Sequence, residues 1–229
     1  MQSIVGLLVL GAAAFAQAPE ATYLEARAAL QKKDFAAAVK ILRPLAEGGL
    51  ARAQSTLGGM YASGLGVTQS YSEAVAWFQK AAAQGFAEGE TNLGIAMDNG
   101  QGIAKNVDQA LTWFRKAADQ GYAPGEYFMG NMYRFGTGVK QSPADALKWY
   151  QKAGEQAFPK AWTSMGEMYD KGEGVLIDLV ESYKWLVMAA VSGDPEANQY
   201  IAGVAGKMTP AQIEDAKKAA VEWSKSHSK

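Results

Sequence analysis

The chain has 229 residues, 48% of them hydrophobic and 20% charged, which is the composition of a folded globular protein and argues against disorder. Its 22 basic and 23 acidic residues leave a formal net charge of -1, so there is no field to gather nucleic acid or an anionic membrane. Cysteine is absent and histidine occurs once, as His227, which excludes disulfide frameworks, thiolate nucleophiles, histidine triads and multi-histidine metal sites.

Ile4 to Ala16, IVGLLVLGAAAFA, is an apolar, uncharged run of 13 residues, shorter than the about 20 that a membrane-spanning helix needs. With Ala14 and Ala16 in an A-x-A arrangement, residues 1–16 read as a secretory signal peptide cleaved before Gln17, although no Lys or Arg precedes the run. An exported protein, periplasmic or secreted, is expected, with no integral membrane span. A cytoplasmic chain whose apolar start packs as a helix on the first repeat is the alternative.

Residues 17–49 form a degenerate first unit, because Phe35, Ala38 and Gly49 stand 36 residues before Tyr71, Ala74 and Gly85 while the first half lacks a glycine loop. Terminal units have one neighbour and diverge. Four full units follow, at 50–85, 86–121, 122–157 and 158–193. Leu57-Gly58 returns as Leu93-Gly94, Met129-Gly130 and Met165-Gly166. Gly64 returns as Gly100, Gly136 and Gly172, and Trp77 as Trp113, Trp149 and Trp185, always at a step of 36.

Within a unit, Leu57, Met60 and Tyr61 share a helical face with Ala53 and Gly58, and the small residues let a neighbouring helix come close. Gly64 ends that helix in the left-handed conformation, and Gly66-Val67 makes a turn with an apolar residue folded back. Ser70, Asn106, Ser142 and Asp178 are N-caps of the second helix, with Glu73, Gln109, Asp145 and Glu181 at capping-box positions. Ala74, Trp77, Phe78 and Ala81 then line one stripe, so the tryptophans are expected to fill gaps between stacked helices rather than to offer a stacking platform. Residues 194–229 hold a shortened first helix and a capping helix opened by Thr209, Pro210 and Gln212, with Ile213, Ala216, Ala220 and Trp223 as its apolar side and Ser224 to Lys229 expected to fray.

Glycine loop, Trp, Lys-Ala and period together resemble the Sel-one-like repeat family, a branch of the tetratricopeptide superfamily, over Ala53 to Gly193. Departures are Met97 in place of Tyr, Ala157 at the closing glycine, and Met188 where the other units have Lys80, Lys116 and Lys152. The resemblance implies an all-α fold, a right-handed superhelical α/α solenoid of antiparallel helix pairs that serves as an adaptor for other proteins.

The GLG and GTG loops lack the Lys-Ser/Thr of a phosphate-binding loop and follow helices, so they read as turns, and no cofactor is expected. In tetratricopeptide-like solenoids the concave groove is lined by first helices, and alignment through Leu-Gly gives a facing set that includes Ser55, Gly59, Ala62, Thr91, Ile95 and Thr163. The groove proposed from it comprises Asp98, Tyr127, Asn131, Arg134, Phe135, Glu167 and Asp170, with the aromatic and arginine residues as the types that anchor interfaces. The expected function is a noncatalytic scaffold that takes a protein or peptide partner there. A cell-wall or β-lactam-processing hydrolase using groove carboxylates such as Glu167, and a purely structural envelope protein, are the alternatives.

Overall fold

The computed structural model describes residues 19–227, so the expected signal peptide and its cleavage site lie outside the described residues. Helices succeed one another throughout: α1 (19–31), α2 (Phe35–Glu47), α3 (Ala51–Ser63), α4 (Tyr71–Ala83), α5 (Ala87–Asn99), α6 (Val107–Asp119), α7 (Ala123–Phe135), α8 (Pro143–Glu155), α9 (Pro159–Lys171), α10 (Leu179–Val191), α11 (Ala197–Ala205) and α12 (Pro210–His227). This is an all-α chain of sequential antiparallel pairs, the α/α-solenoid class expected from the repeat. It divides into two compact units, Met1–Trp113 and Phe114–Lys229, with the boundary inside α6. In the first unit α2, α3, α4 and α5 pack in series. In the second, α7 pairs with α8 and α9 with α10, while α11 and α12 both lie against α10.

The helix limits are set by capping. Gly64, Gly100, Gly136 and Gly172 end the first helices with φ between 68° and 70°. Each second helix starts on the expected cap, with the side chains of Ser70, Asn106, Ser142 and Asp178 accepting from the backbone three residues on, at 2.9–3.4 Å. The reciprocal half of the capping box is not made in these four. The cap N–H donates instead to the carbonyl of Tyr61, Met97, Tyr133 or Tyr169, so a local bond gives way to one that ties the two helices of a repeat together. Helix α12 does close a full box: Thr209 N donates to Gln212 Oε1 at 2.8 Å, and Gln212 N to Thr209 Oγ1 at 3.3 Å. That helix continues to His227, beyond the expected fraying point. The His227 ring stacks on Trp223 at 4.0 Å and Ser226 Oγ donates to the Trp223 carbonyl.

The packing inside a repeat is set by the residue after the tryptophan more than by the tryptophan. Tyr150 and Leu186 are fully buried, and a β-carbon on Gly130 would stand 2.5 Å from the Tyr150 ring, one on Gly166 2.6 Å from Leu186. Gly58 meets Phe78 in the same way, so the glycine of these Leu-Gly and Met-Gly pairs is a socket for that side chain. Trp77 and Trp185 are buried and Trp113 and Trp149 half-buried. Lysine ammonium groups lie over three of these rings, Lys80 on Trp77 at 4.0 Å, Lys152 on Trp149 at 4.3 Å, and Lys184 on Trp185 at 4.1 Å. In the last repeat the cation comes from the residue before the ring, because Met188 occupies the usual lysine position.

The departure at Met97 also has a partner. Arg43 Nη2 donates to the Tyr61 hydroxyl at 2.8 Å, and Arg115 Nη2 to that of Tyr133 at 3.3 Å. Where Met97 replaces the tyrosine, Gln79 stands in place of the arginine, and the two line a hollow of about 390 Å³ beside Leu93 and Thr112.

Candidate functional site

The first-helix face differs between the two units. In the first, Gly59, Ala62 and Ile95, with Asn92, line a shallow hollow of about 240 Å³, and Asp98 is half-buried near the end of α5. Ser55 belongs to the packing between neighbouring first helices, since its buried hydroxyl donates to Glu88 at 3.0 Å and accepts from Asn92 at 3.2 Å. Thr91 is also buried, its hydroxyl donating to the Ala87 carbonyl of its own helix at 2.9 Å, and in the second unit Thr163 bonds to Asp194 at 2.6 Å. These three facing positions are therefore structural.

In the second unit the positions that were Gly59 and Ala62 carry Asn131 and Arg134 on α7, then Glu167 and Asp170 on α9. Asn131 Oδ1 accepts from the Tyr150 hydroxyl at 2.6 Å, and burial pushes the Tyr150 phenol well up. Tyr127 is half-buried among rings, with centroids 5.3 Å from Phe128, 5.7 Å from Tyr150 and 5.4 Å from Phe158. Arg134, only 7% exposed, donates through Nε to Glu173 at 2.8 Å and through Nη2 to Glu167 at 3.0 Å. Burial works against its charge, and the hydrogen bonds to Glu173 and Glu167 more than reverse that, holding the guanidinium above its ordinary range. Glu167 also takes Lys171 at 3.4 Å and the Tyr200 hydroxyl, whose pKa is raised by that bond and by the carboxylate charge. Asp170 is held by Lys207 at 2.6 and 2.9 Å.

Phe135 is the exception, for it is 64% exposed. The Arg134 guanidinium carbon lies 5.3 Å from its ring centroid, so an exposed ring sits against a cation that two carboxylates fix in place. Glu167, shared by Arg134 and Lys171, and Asp170, held by Lys207, are matched from within, so these carboxylates are built into the scaffold rather than left free for acid–base work.

The structure brings Arg134, Glu167, Asn131 and Phe135 together and adds Glu173, Tyr200 and Lys207, which the repeat pattern alone does not single out. For Lys207 a signal was present. Bonds between neighbouring first helices, and from the turn after α11, recur at fixed offsets near the period: 33 residues for Tyr23–Thr56, Ser55–Glu88 and Arg134–Glu167, and 37 for Ser55–Asn92 and Asp170–Lys207. Scanning for complementary polar residues at those offsets finds Lys207 directly.

Glu126 on α7 is a buried carboxyl that accepts from Gln156 Nε2 at 2.8 Å. Burial raises its pKa, against the smaller opposing pull of Lys152 and the Gln156 amide. Its protonated form is favoured in the fold, so the stability it contributes is complete below the usual glutamate range and is lost as pH rises through the elevated value. Glu126→Gln, which places there the residue found at Gln54, is expected to raise the melting temperature at pH 7 and leave it nearly unchanged at pH 3. A gain confined to pH 3 would contradict this.

Compared with known proteins, the chain matches the Sel1 repeat family model at residues 51–86, 87–122, 123–158 and 163–194. The chain belongs to the Sel1 repeat family. Its fold is similar to that of a Sel1 repeat protein from Oxalobacter formigenes, 31% identical, with a TM-score of 0.69 over 88% of this chain and 82% of the other. It is similar also to c5321, a protective antigen present in uropathogenic Escherichia coli strains, with 30% identity, a TM-score of 0.70 and 95% of this chain covered. There the Sel1 chain spans about half (48%) of the relative's length. The immunity protein Pa5087 from Pseudomonas aeruginosa, 23% identical with a TM-score of 0.61 over 91% of this chain and 80% of its own, shares the fold. A search of curated proteins finds no match. The Sel1 repeat makes this a scaffold protein, and no described helix is long and apolar enough to cross a membrane.

Proposed function

We propose that this Sel1 repeat protein is a noncatalytic adaptor that binds a segment of a partner protein along the α7–α9 face, with Phe135 as the anchor. The observation that carries the reading is the exposed Phe135 ring held against the doubly paired Arg134. An aromatic side chain that is already fixed loses little freedom on binding, and rigid aromatic anchors supply most of the energy of protein interfaces. Asn131 on α7 and Glu167 and Asp170 on α9 supply polar groups already ordered by internal bonds. Tyr127 supports the face from below through its neighbours Tyr150 and Phe158.

Export is part of the same proposal and rests on the Ile4 to Ala16 run with its A-x-A ending. Mass spectrometry of the mature N-terminus checks it, since a chain beginning at Gln17 is expected.

The binding reading is tested at Phe135, which can be changed without touching the core. Phe135→Ser is expected to leave the melting temperature within about a degree, as surface substitutions usually do. It should weaken crosslinking of the native partner in the envelope by tenfold or more, the effect of losing an aromatic hot spot of about 1.4 kcal/mol or more. Unchanged crosslinking by the folded variant would remove Phe135 and this face from consideration.

A further inference from the structure

We infer that the groove between α10 and α12 binds a single-chain aliphatic carboxylate. The regular repeat is broken at that place. At the end of a second helix a glutamine closes back onto the first helix: Gln84 Nε2 donates to Gln54 at 2.8 Å and Gln156 Nε2 to Glu126 at 2.8 Å. At the same two positions the fourth repeat carries Ser192 and Trp162. A serine is too short to make the closure, and a groove of about 420 Å³ remains there, lined by Trp162 and Met188, by Val191 of α10 and by Val221 of α12. Val191 is 84% exposed and Val221 is exposed as well. Side chains of this kind gain when an apolar body covers them.

The charge around the groove selects what that body carries. Lys217 and Lys225 line it and, among the described residues, no acidic side chain does. The two lysines are eight residues apart on α12, so the groove runs about 12 Å along the helix. Lys217 is already held by Glu214 at 3.0 Å, whereas Lys225 has no ion pair among the described residues. A channel of that length, apolar along its walls with an unpaired cation at one end, complements an aliphatic chain that ends in a carboxylate. The tail lies over the valines and the head meets Lys225.

Calorimetric titration of the full chain with decanoate below its micelle-forming concentration, and with decanol below its solubility limit as the uncharged counterpart, tests the assignment. One decanoate per chain is expected, bound about fivefold tighter than decanol, the effect of one partly exposed ion pair. Lys225→Gln should bring decanoate down to the level of decanol. Ser192→Gln, which restores the residue of the other repeats, should abolish binding of both, and so should Val191→Glu, a change at a side chain in solvent that leaves folding intact. Decanoate bound no tighter than decanol, several molecules per chain, or binding that survives both Ser192→Gln and Val191→Glu would overturn the inference.

Discussion

Arg134→Ala is expected to cost the second unit about 2–3 kcal/mol, read as a lower urea midpoint at unchanged slope. Removing one partner of a buried ion pair leaves the others desolvated without compensation, an effect of about 3–5 kcal/mol when the site is fully closed. The figure is reduced here because side chains of Glu167 and Glu173 keep 16% and 32% of their exposure. Arg134→Lys is expected to recover less than half of the loss, since a single ammonium does not span the two carboxylates as the guanidinium fork does. A loss under about 0.5 kcal/mol for Arg134→Ala would mean that the network is no stronger than an exposed pair. The buried pairing also limits how the face can be probed. A charge reversal at Arg134 places three carboxyl groups together and unfolds the unit before it reports on any partner, which is why Phe135 is the position that separates binding from folding.

Gly174→Ala and Gly193→Ala should differ sharply although both replace a glycine at positive φ, 71° and 91°. At Gly193 nothing lies within 4 Å of an added β-carbon, so only the backbone conformation is penalised, at about 1 kcal/mol. At Gly174 the β-carbon would stand 2.5 Å from the backbone nitrogen of Ala144, at the start of α8. Backbone cannot turn aside as a side chain does, and overpacking adds about 1–3 kcal/mol to the conformational penalty. Gly174→Ala is therefore expected to lose about 3 kcal/mol or more in the same denaturation experiment, while equal losses at the two sites would reduce the loop glycine to a turn residue. Ala157, at φ 57° in the position of the closing glycines, illustrates that the conformational penalty alone is tolerated.

The helices, their caps and the glycine turns were legible because each rests on local chemistry: a cap side chain, a left-handed glycine, an apolar stripe. The fixed period extended that legibility to the pairing of helices. What stayed hidden depends on which of two adjacent residues turns inward. The tryptophan is the conspicuous recurrent residue, yet Tyr150 and Leu186 beside it are the more deeply buried. The facing set was legible as a set but not as a surface, since Ser55, Thr91 and Thr163 turn into the helix stack. Arg134 was visible as an interface-type residue, but its pairing with Glu173 across 39 residues depends on the loop after α9 folding over the end of α7, which periodicity alone does not express.

The contact of Gly174 with the start of α8 sets an order of events. The loop that closes one repeat rests on a helix of the repeat before it, and Gly66 likewise rests on Phe35 at the start of α2. Gly102 rests on Tyr71 in the same way, so these closures use a surface made of residues that have already left the ribosome. Within each unit, synthesis from the N-terminus can therefore proceed pair by pair, with a finished pair serving as the template on which the next loop seats.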